Sequence, residues 1–340
     1  MNILFRCDGF VEIGMGHVVR CLALADHLEK NDDYFNIQFA MRQSVLGISK
    51  VKEKYQVLES NEKDFNYKEW LTDCIEKTKT NVLIMDMRDG LTRKELKSIK
   101  KKTGIEVITI DDPEEKRLEA DLAFYPPVPQ LKNMSWEGFK GELHIGWEYV
   151  ILRKEFLKQY LKPKNTIPNV LISMGGTDEE NMTEFVVNSL NQVNKKFKAI
   201  IIVGAGYPYL KQLEKYLKEV QYAFELHQNP KNIALVMSQV DFAIISFGQT
   251  AYELVSLNIP ALYFCLTKDH EESAQLFNKE RIGESLGFYF DIKYHNTVET
   301  VTNLLKEKEI IGEMSHRLQS INISNLDLIT QFIIRDNIYV

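Results

Sequence analysis

Gly14-Met15-Gly16-His17 stands at the centre of the run FRCDGFVEIGMGHVVRCL, in which a short apolar strand, Ile3-Leu4-Phe5, gives way to a polar loop and then a helix. A histidine in the first turn of a helix sits where backbone N–H groups point outward without intrahelical partners, a setting suited to anions. Glycines permit close approach of the backbone to a ligand, and imidazole has the ordinary pKa best suited to proton transfer near neutrality. The loop therefore implies a catalytic base, His17, beside a phosphate-bearing substrate, with Gly14 and Gly16 at the ligand. Asp8 is expected to orient His17 or to meet sugar hydroxyls. A dinucleotide fingerprint needs a third glycine where Val19 stands, which disfavours a nicotinamide cofactor. The plainer alternative makes His17 a polar cap, the glycines simple turn-formers and Asp8 a turn residue.

The second half of the chain repeats the pattern. Met174-Gly175-Gly176-Thr177 follows the strand Val170 to Ser173, and its amides and hydroxyl suit a diphosphate; the bland reading is a tight turn before a capped helix. Ser246-Phe247-Gly248-Gln249-Thr250 follows another strand, so Ser246, Gln249 and Thr250 are placed to hold a diphosphate at a helix N-terminus. Glu253, one turn on, suits a ribose diol. A capping box between Thr250 and Glu253 is the competing account. Gly204 ends a further strand beside a base or phosphate, and Ile233 opens a helix that offers backbone contacts to a uracil edge. Lys268 and His270 follow the strand Ala261 to Cys265 toward sugar or phosphate, with a solvated charged loop as the alternative. Asp86, just past the strand Val82 to Met85, and Asp111-Asp112 read as sugar-binding or structural.

These loops need a scaffold that delivers them to one end of a sheet. β-rich runs at Asn2 to Phe5, Asn36 to Met41, Asn81 to Met85, Glu106 to Ile110 and Asp121 to Phe124 alternate with amphipathic stretches such as Val18 to Lys30 and Thr92 to Lys102. That alternation predicts a parallel sheet wrapped by helices. After the polar, proline-broken segment Asn165 to Pro168 it restarts, with strands at Asn169 to Ser173, Lys198 to Val203, Ala223 to Leu226, Phe242 to Ile245 and Ala261 to Phe264. Helices are expected at Glu179 to Gln192, Tyr209 to Val220, Pro230 to Ser238 and Thr250 to Leu257. The fold class is α/β: two Rossmann-like domains, residues 1–150 and 165–302, facing across a cleft, with a helical tail over 303–340.

Composition is consistent with this. The 340 residues are 44% apolar and 26% charged, enough for two domains at roughly 100 to 200 residues each. A net charge of −6 offers nucleic acid no global attraction. The four cysteines, Cys7, Cys21, Cys74 and Cys265, lack metal-ligand or CxxC spacing, so no metal, no cofactor and no disulfide framework is expected. With no leader pattern and no apolar run near the ~18 to 20 residues that span a bilayer, a cytoplasmic protein without membrane insertion is expected.

Taken together, RCDGFVEIGMGHVVRCLALA, LHIGWEYVILRKEF, ISMGGTDEEN and ISFGQTAYELVSLNIPALYF resemble the UDP-sugar hydrolase family of pseudaminic-acid biosynthesis and its relatives of spore-coat polysaccharide synthesis. The motifs occur in family order. The resemblance implies a glycosyltransferase-B fold with UDP mainly on the second domain. It also implies metal-independent hydrolysis of UDP-2,4-diacetamido-2,4,6-trideoxy-β-L-altropyranose with inversion, water being activated by His17. On the same resemblance Gly14 and Gly16 match the first loop, Gly175, Gly176 and Thr177 the second, and Glu253 the ribose glutamate. The chain departs from relatives at Asp86-Met87-Arg88, where they show Asp-His-Tyr, and at Tyr125, where they often carry asparagine. A glycosyltransferase of the same architecture, using His17 on an acceptor hydroxyl, is the principal rival; a non-catalytic sugar-nucleotide binder and an epimerase are the others.

Overall fold

A computed structural model of the chain describes residues 1–9, 14–31, 35–42, 45–60, 66–163 and 165–334. Residues 10–13 of the first family motif and 335–340 of the expected tail lie outside the described residues. The chain divides into two compact units, one of residues 1–127, 131–153 and 323–340, the other of residues 128–130 and 154–322.

The first unit contains β1 (Asn2–Arg6), α1 (Gly16–Asn31), β2 (Asn36–Arg42), α2 (Val45–Lys52), β3 (Gln56–Ser60), α3 (Tyr67–Thr78), β4 (Val82–Met85), α4 (Arg93–Thr103), β5 (Glu106–Ile110), β6 (Leu122–Tyr125) and β7 (Glu142–Ile145). Its strands form one parallel sheet in the order β3-β2-β1-β4-β5-β6-β7. The central strands are buried on both faces, which is why they read as continuous apolar runs. Helix limits follow local chemistry: α4 begins with a capping box between Thr92 and Glu95 and ends at Gly104, whose φ of 70° is left-handed.

The second unit contains β8 (Asn169–Ser173), α5 (Met182–Leu190), β9 (Lys198–Val203), α6 (Leu210–Tyr216), β10 (Ala223–Gln228), α7 (Ile233–Met237), β11 (Phe242–Ser246), α8 (Gln249–Ser256), β12 (Ala261–Cys265), α9 (Lys268–Glu280), β13 (Gly283–Phe288), α10 (Tyr294–Lys306) and α11 (Lys308–Leu318). Its sheet is also parallel, in the order β10-β9-β8-β11-β12-β13. Gln130 is held within this unit because its amide donates to the Asp269 carbonyl and to Ser273 Oγ, both at 2.8 Å. The last helix, α12 (Leu326–Ile334), returns to the first unit and buries Leu326, Ile329 and Ile333 in the core with Leu24, Leu28 and Ile151.

In each sheet the order reverses once along the chain, between β1 and β4 in the first unit and between β8 and β11 in the second. Loops leaving the carboxyl ends of such strands diverge and open a crevice, the general ligand position of open α/β sheets. Three strands were not anticipated: β3, β7 and β13 are edge strands with exposed or half-buried positions, so no continuous apolar run marks them. Three expected helices prove shorter, the one from Tyr209 ending at Tyr216 rather than Val220. The stretch from Glu179 yields to a turn in which Asp178 and Asn181 are left-handed (φ 46° and 50°). Asp178 then accepts hydrogen bonds from the Met182 and Thr183 amides, so α5 starts at Met182. Asn232 caps α7 through the Leu235 amide, which removes Pro230 to Asn232 from that helix. The four cysteines are buried free thiols, and no helix among the described residues is long and apolar enough to cross a membrane.

Candidate functional site

At the reversal point of the first unit, β1 leads into the Gly14–His17 loop and β4 ends at Asp86. Gly14 has a φ of 70°, a backbone that L side chains rarely adopt, and it turns the chain into α1. Its neighbour Gly16 faces open space where a Cβ would stand. His17 is the second residue of α1, and the helix has no acidic residue in its first turn. The imidazole is 23% exposed, whereas the Asp86 side chain is fully buried. His17 Nδ1 lies 2.7 Å from Asp86 Oδ1.

Asp86 is held by a dense set of donors. Arg20 Nε donates to Oδ2 at 2.7 Å and Nη2 to Oδ1 at 2.6 Å, a bidentate pair, and the Cys21 thiol lies 3.8 Å from Oδ2. Burial alone would raise the pKa of Asp86, but Arg20 and His17 outweigh it and bring it down to about 2. The carboxylate is therefore ionised and accepts only, so His17 Nδ1 must carry the proton of their hydrogen bond. In neutral His17 the lone pair then resides on Nε2. This is the geometry of an oriented general base.

Asp111 and Asp112 point to different partners. Asp111, with φ 52°, reaches Arg20 Nη1 at 3.4 Å, while burial and the Asp86 charge push its pKa up. Asp112 Oδ2 lies 3.3 Å from the fully buried Lys116, and burial raises its pKa to about 6 despite that cation. Asp8 belongs to a separate buried network: it accepts from Arg6 Nη2 at 2.7 Å and from the Arg42 amide at 2.6 Å. Arg6 in turn donates to Tyr67 Oη at 2.9 Å, and Arg42 lies 4.3 Å over the Tyr67 ring. Asp8 thus anchors the ends of β1 and β2, and the residue that orients His17 is Asp86, from the far side of the reversal point.

In the second unit the loops after β8 and β11 adjoin. Gly175, at φ 92°, is exposed with Gly176, Thr177 is half-buried, and a Cβ on Gly175 would lie 3.6 Å from Ser246 Oγ. Helix α8 opens at Gly248 without a side-chain cap, which leaves Thr250 inside its first turn rather than at the cap. A Thr250–Glu253 capping box is therefore not what begins this helix. Gln249 and Thr250 are half-buried, while Glu253 is buried. Lys268 is exposed at the start of α9; His270, whose amide is bound by Thr267 Oγ1 at 3.1 Å, sets its ring 5.9 Å from Phe247. Ile233, half-buried, opens α7 after β10, separated from β8 by β9.

Gly204 supports the β8 loop by close packing: a Cβ there would stand 2.1 Å from the Gly176 carbonyl oxygen. Backbone cannot yield as a flexible side chain does. Gly204→Ala is expected to destabilise the second unit by about 1 to 3 kcal/mol through overpacking, checked by thermal unfolding.

Sequence reasoning missed Arg20. Its signal was its spacing from His17: three residues apart on α1, the two side chains share a face.

No protein-family model matches the chain. Among curated proteins it is 29% identical over 300 residues to the UDP-2,4-diacetamido-2,4,6-trideoxy-beta-L-altropyranose hydrolase of Campylobacter jejuni, covering 86% of this chain and 100% of that one. It is 24% identical over 293 residues to the spore coat polysaccharide biosynthesis protein SpsG of Bacillus subtilis, covering 84% of each. Among solved structures it is similar to MurG of Acinetobacter baumannii with a TM-score of 0.74 at 12% identity, covering 98% of this chain and 99% of that one. At that identity the last likeness speaks to the fold alone.

Proposed function

From its similarity to the Campylobacter jejuni hydrolase and to SpsG, we propose that the chain belongs with them and hydrolyses a UDP-activated sugar. On this reading water attacks the anomeric carbon, its proton passes to His17 Nε2, and the bond from that carbon to the diphosphate oxygen breaks with its electrons leaving on UDP. The observation that carries the reading is the 2.7 Å contact of His17 Nδ1 with ionised Asp86, which fixes the tautomer and leaves Nε2 as the proton acceptor. The diphosphate is assigned to the second unit: the Gly175–Gly176–Thr177 loop, Ser246, Gln249 and Thr250 at the start of α8, and Lys268 as a cation. Glu253 is assigned to the ribose, and Gly204, Ile233 and His270 to the rim of the nucleotide site. In the first unit, Gly14 and Gly16 line the approach to His17, and Asp86 acts on substrate through His17.

The sugar we propose is the diacetamido-trideoxyhexose of the Campylobacter jejuni relative, at the stage where a nucleotide-activated sugar is released as the free sugar. Incubation of the purified protein with that UDP-sugar and no acceptor, followed by proton and phosphorus NMR, is expected to show free sugar and UDP accumulating together. Release of UDP only after an acceptor alcohol is added would replace the hydrolase with a transferase.

A further inference from the structure

Arg20 has no direct part in the proposed reaction, yet its guanidinium is the most heavily engaged group around His17. Its side chain is 12% exposed. It clamps Asp86 through Nε and Nη2, reaches Asp111 Oδ2 with Nη1 at 3.4 Å, and brings Nη2 to 3.4 Å from His17 Nδ1. Because His17 Nδ1 already carries the proton given to Asp86, this last approach is not a hydrogen bond. It is a fixed positive charge beside the imidazole.

An imidazole serves as a base only while its lone pair is held toward the reacting proton, and a carboxylate free to rotate would let the ring turn with it. Resting on the reading of His17 as the base, we propose that Arg20 is a positioning residue that locks the Asp86 carboxylate in one orientation and, through it, holds the His17 ring with Nε2 toward substrate. The charged and titratable groups about His17 come from three elements. Asp86 faces it from the end of β4, Asp111 from the end of β5, Arg20 and Cys21 from α1, and Arg88 acts on Asp111. Burial and the Cys7 thiol beside it hold Cys21 protonated, so that group adds no charge. Arg20 is thus the cation that offsets Asp86 at the ring, and its bidentate geometry is one that an ammonium group does not reproduce.

The test is nitrogen-15 imidazole NMR of the full-length protein without substrate, with the His17 resonances assigned by His17→Gln, beside steady-state release of UDP. In the wild type the shifts should report a protonated Nδ1 and a bare Nε2. Arg20→Lys keeps the charge and loses the bidentate clamp: kcat is expected to fall about tenfold or more with KM little changed, and the shifts to report a mixture of the two ring tautomers. Arg20→Met loses both and is expected to fall at least as far. Unchanged kcat in Arg20→Lys, or the wild-type tautomer in both variants, overturns the proposal. If Arg20→Met does not fold, Arg20→Lys decides alone. A mixture of tautomers in a protein that releases no UDP supports the role of Arg20 and overturns the hydrolase reading, so the two failures are distinct.

Discussion

His17→Ala is expected to slow UDP release by about 10²- to 10⁴-fold, the usual range for loss of a general base, while UDP itself binds nearly as well as to the wild type. The asymmetry follows from the assignments: the proton acceptor lies on α1 of the first unit, whereas the groups assigned to the diphosphate are on loops of the second. Single-turnover kinetics with the UDP-sugar measure the first quantity and calorimetric titration with UDP the second. With the ring removed, the buried Asp86 carboxylate keeps its bidentate pair with Arg20, so the fold is expected to survive. Full activity in this variant would dismiss His17 as the base.

Asp86→Asn is expected to be damaging in two separable ways. An amide cannot enforce the tautomer that an ionised carboxylate requires, since its NH₂ can donate to His17 Nδ1 and shift the ring proton to Nε2. Turnover is expected to fall by about 10²- to 10⁴-fold, as when another catalytic histidine loses the carboxylate that sets its tautomer. The second effect is on stability. Arg20, 12% exposed, is left with Asp111 at 3.4 Å as its remaining carboxylate, and breaking a buried ion pair costs on the order of 3 kcal/mol. The stability loss has a pH signature. In the folded wild type the Asp86 pKa drops from its ordinary 3.8 to about 2, so the contribution of its charge is complete above the ordinary value and is lost as pH falls toward 2. Denaturant unfolding should therefore show a gap between wild type and variant that is constant above about pH 5 and narrows on acidification. A gap independent of pH would mean that Asp86 stabilises by packing rather than by charge.

Much of the scaffold is legible from local pattern. Strands such as β5, β8 and β9 lie where their apolar runs begin and end, because a parallel strand covered on both faces must be apolar at successive positions. The glycine loops are legible for a similar reason, since the left-handed backbone at Gly14 and Gly175 is one that residues with a Cβ rarely adopt. The edge strands β3, β7 and β13 are not, because half-covered strands carry no such run. The site is legible in its ends and not in its joins. His17 stands out by its position at a helix start, but the carboxylate that orients it is 69 residues away. Asp8, the nearer candidate, is taken by Arg6 and Arg42.

By itself, then, the sequence determined the two parallel α/β units and the loops that carry glycine and histidine, which depend on periodicity and steric freedom within a few residues. The pairing of His17 with Asp86, the clamp of Arg20 upon it, the separate duties of Asp111 and Asp112, and the packing of Gly204 on Gly176 were decided by tertiary structure. The physical reason is strand order. Placing β4 directly beside β1, and β11 beside β8, brings together loops that are distant in the chain, and no local spacing encodes which strands become neighbours.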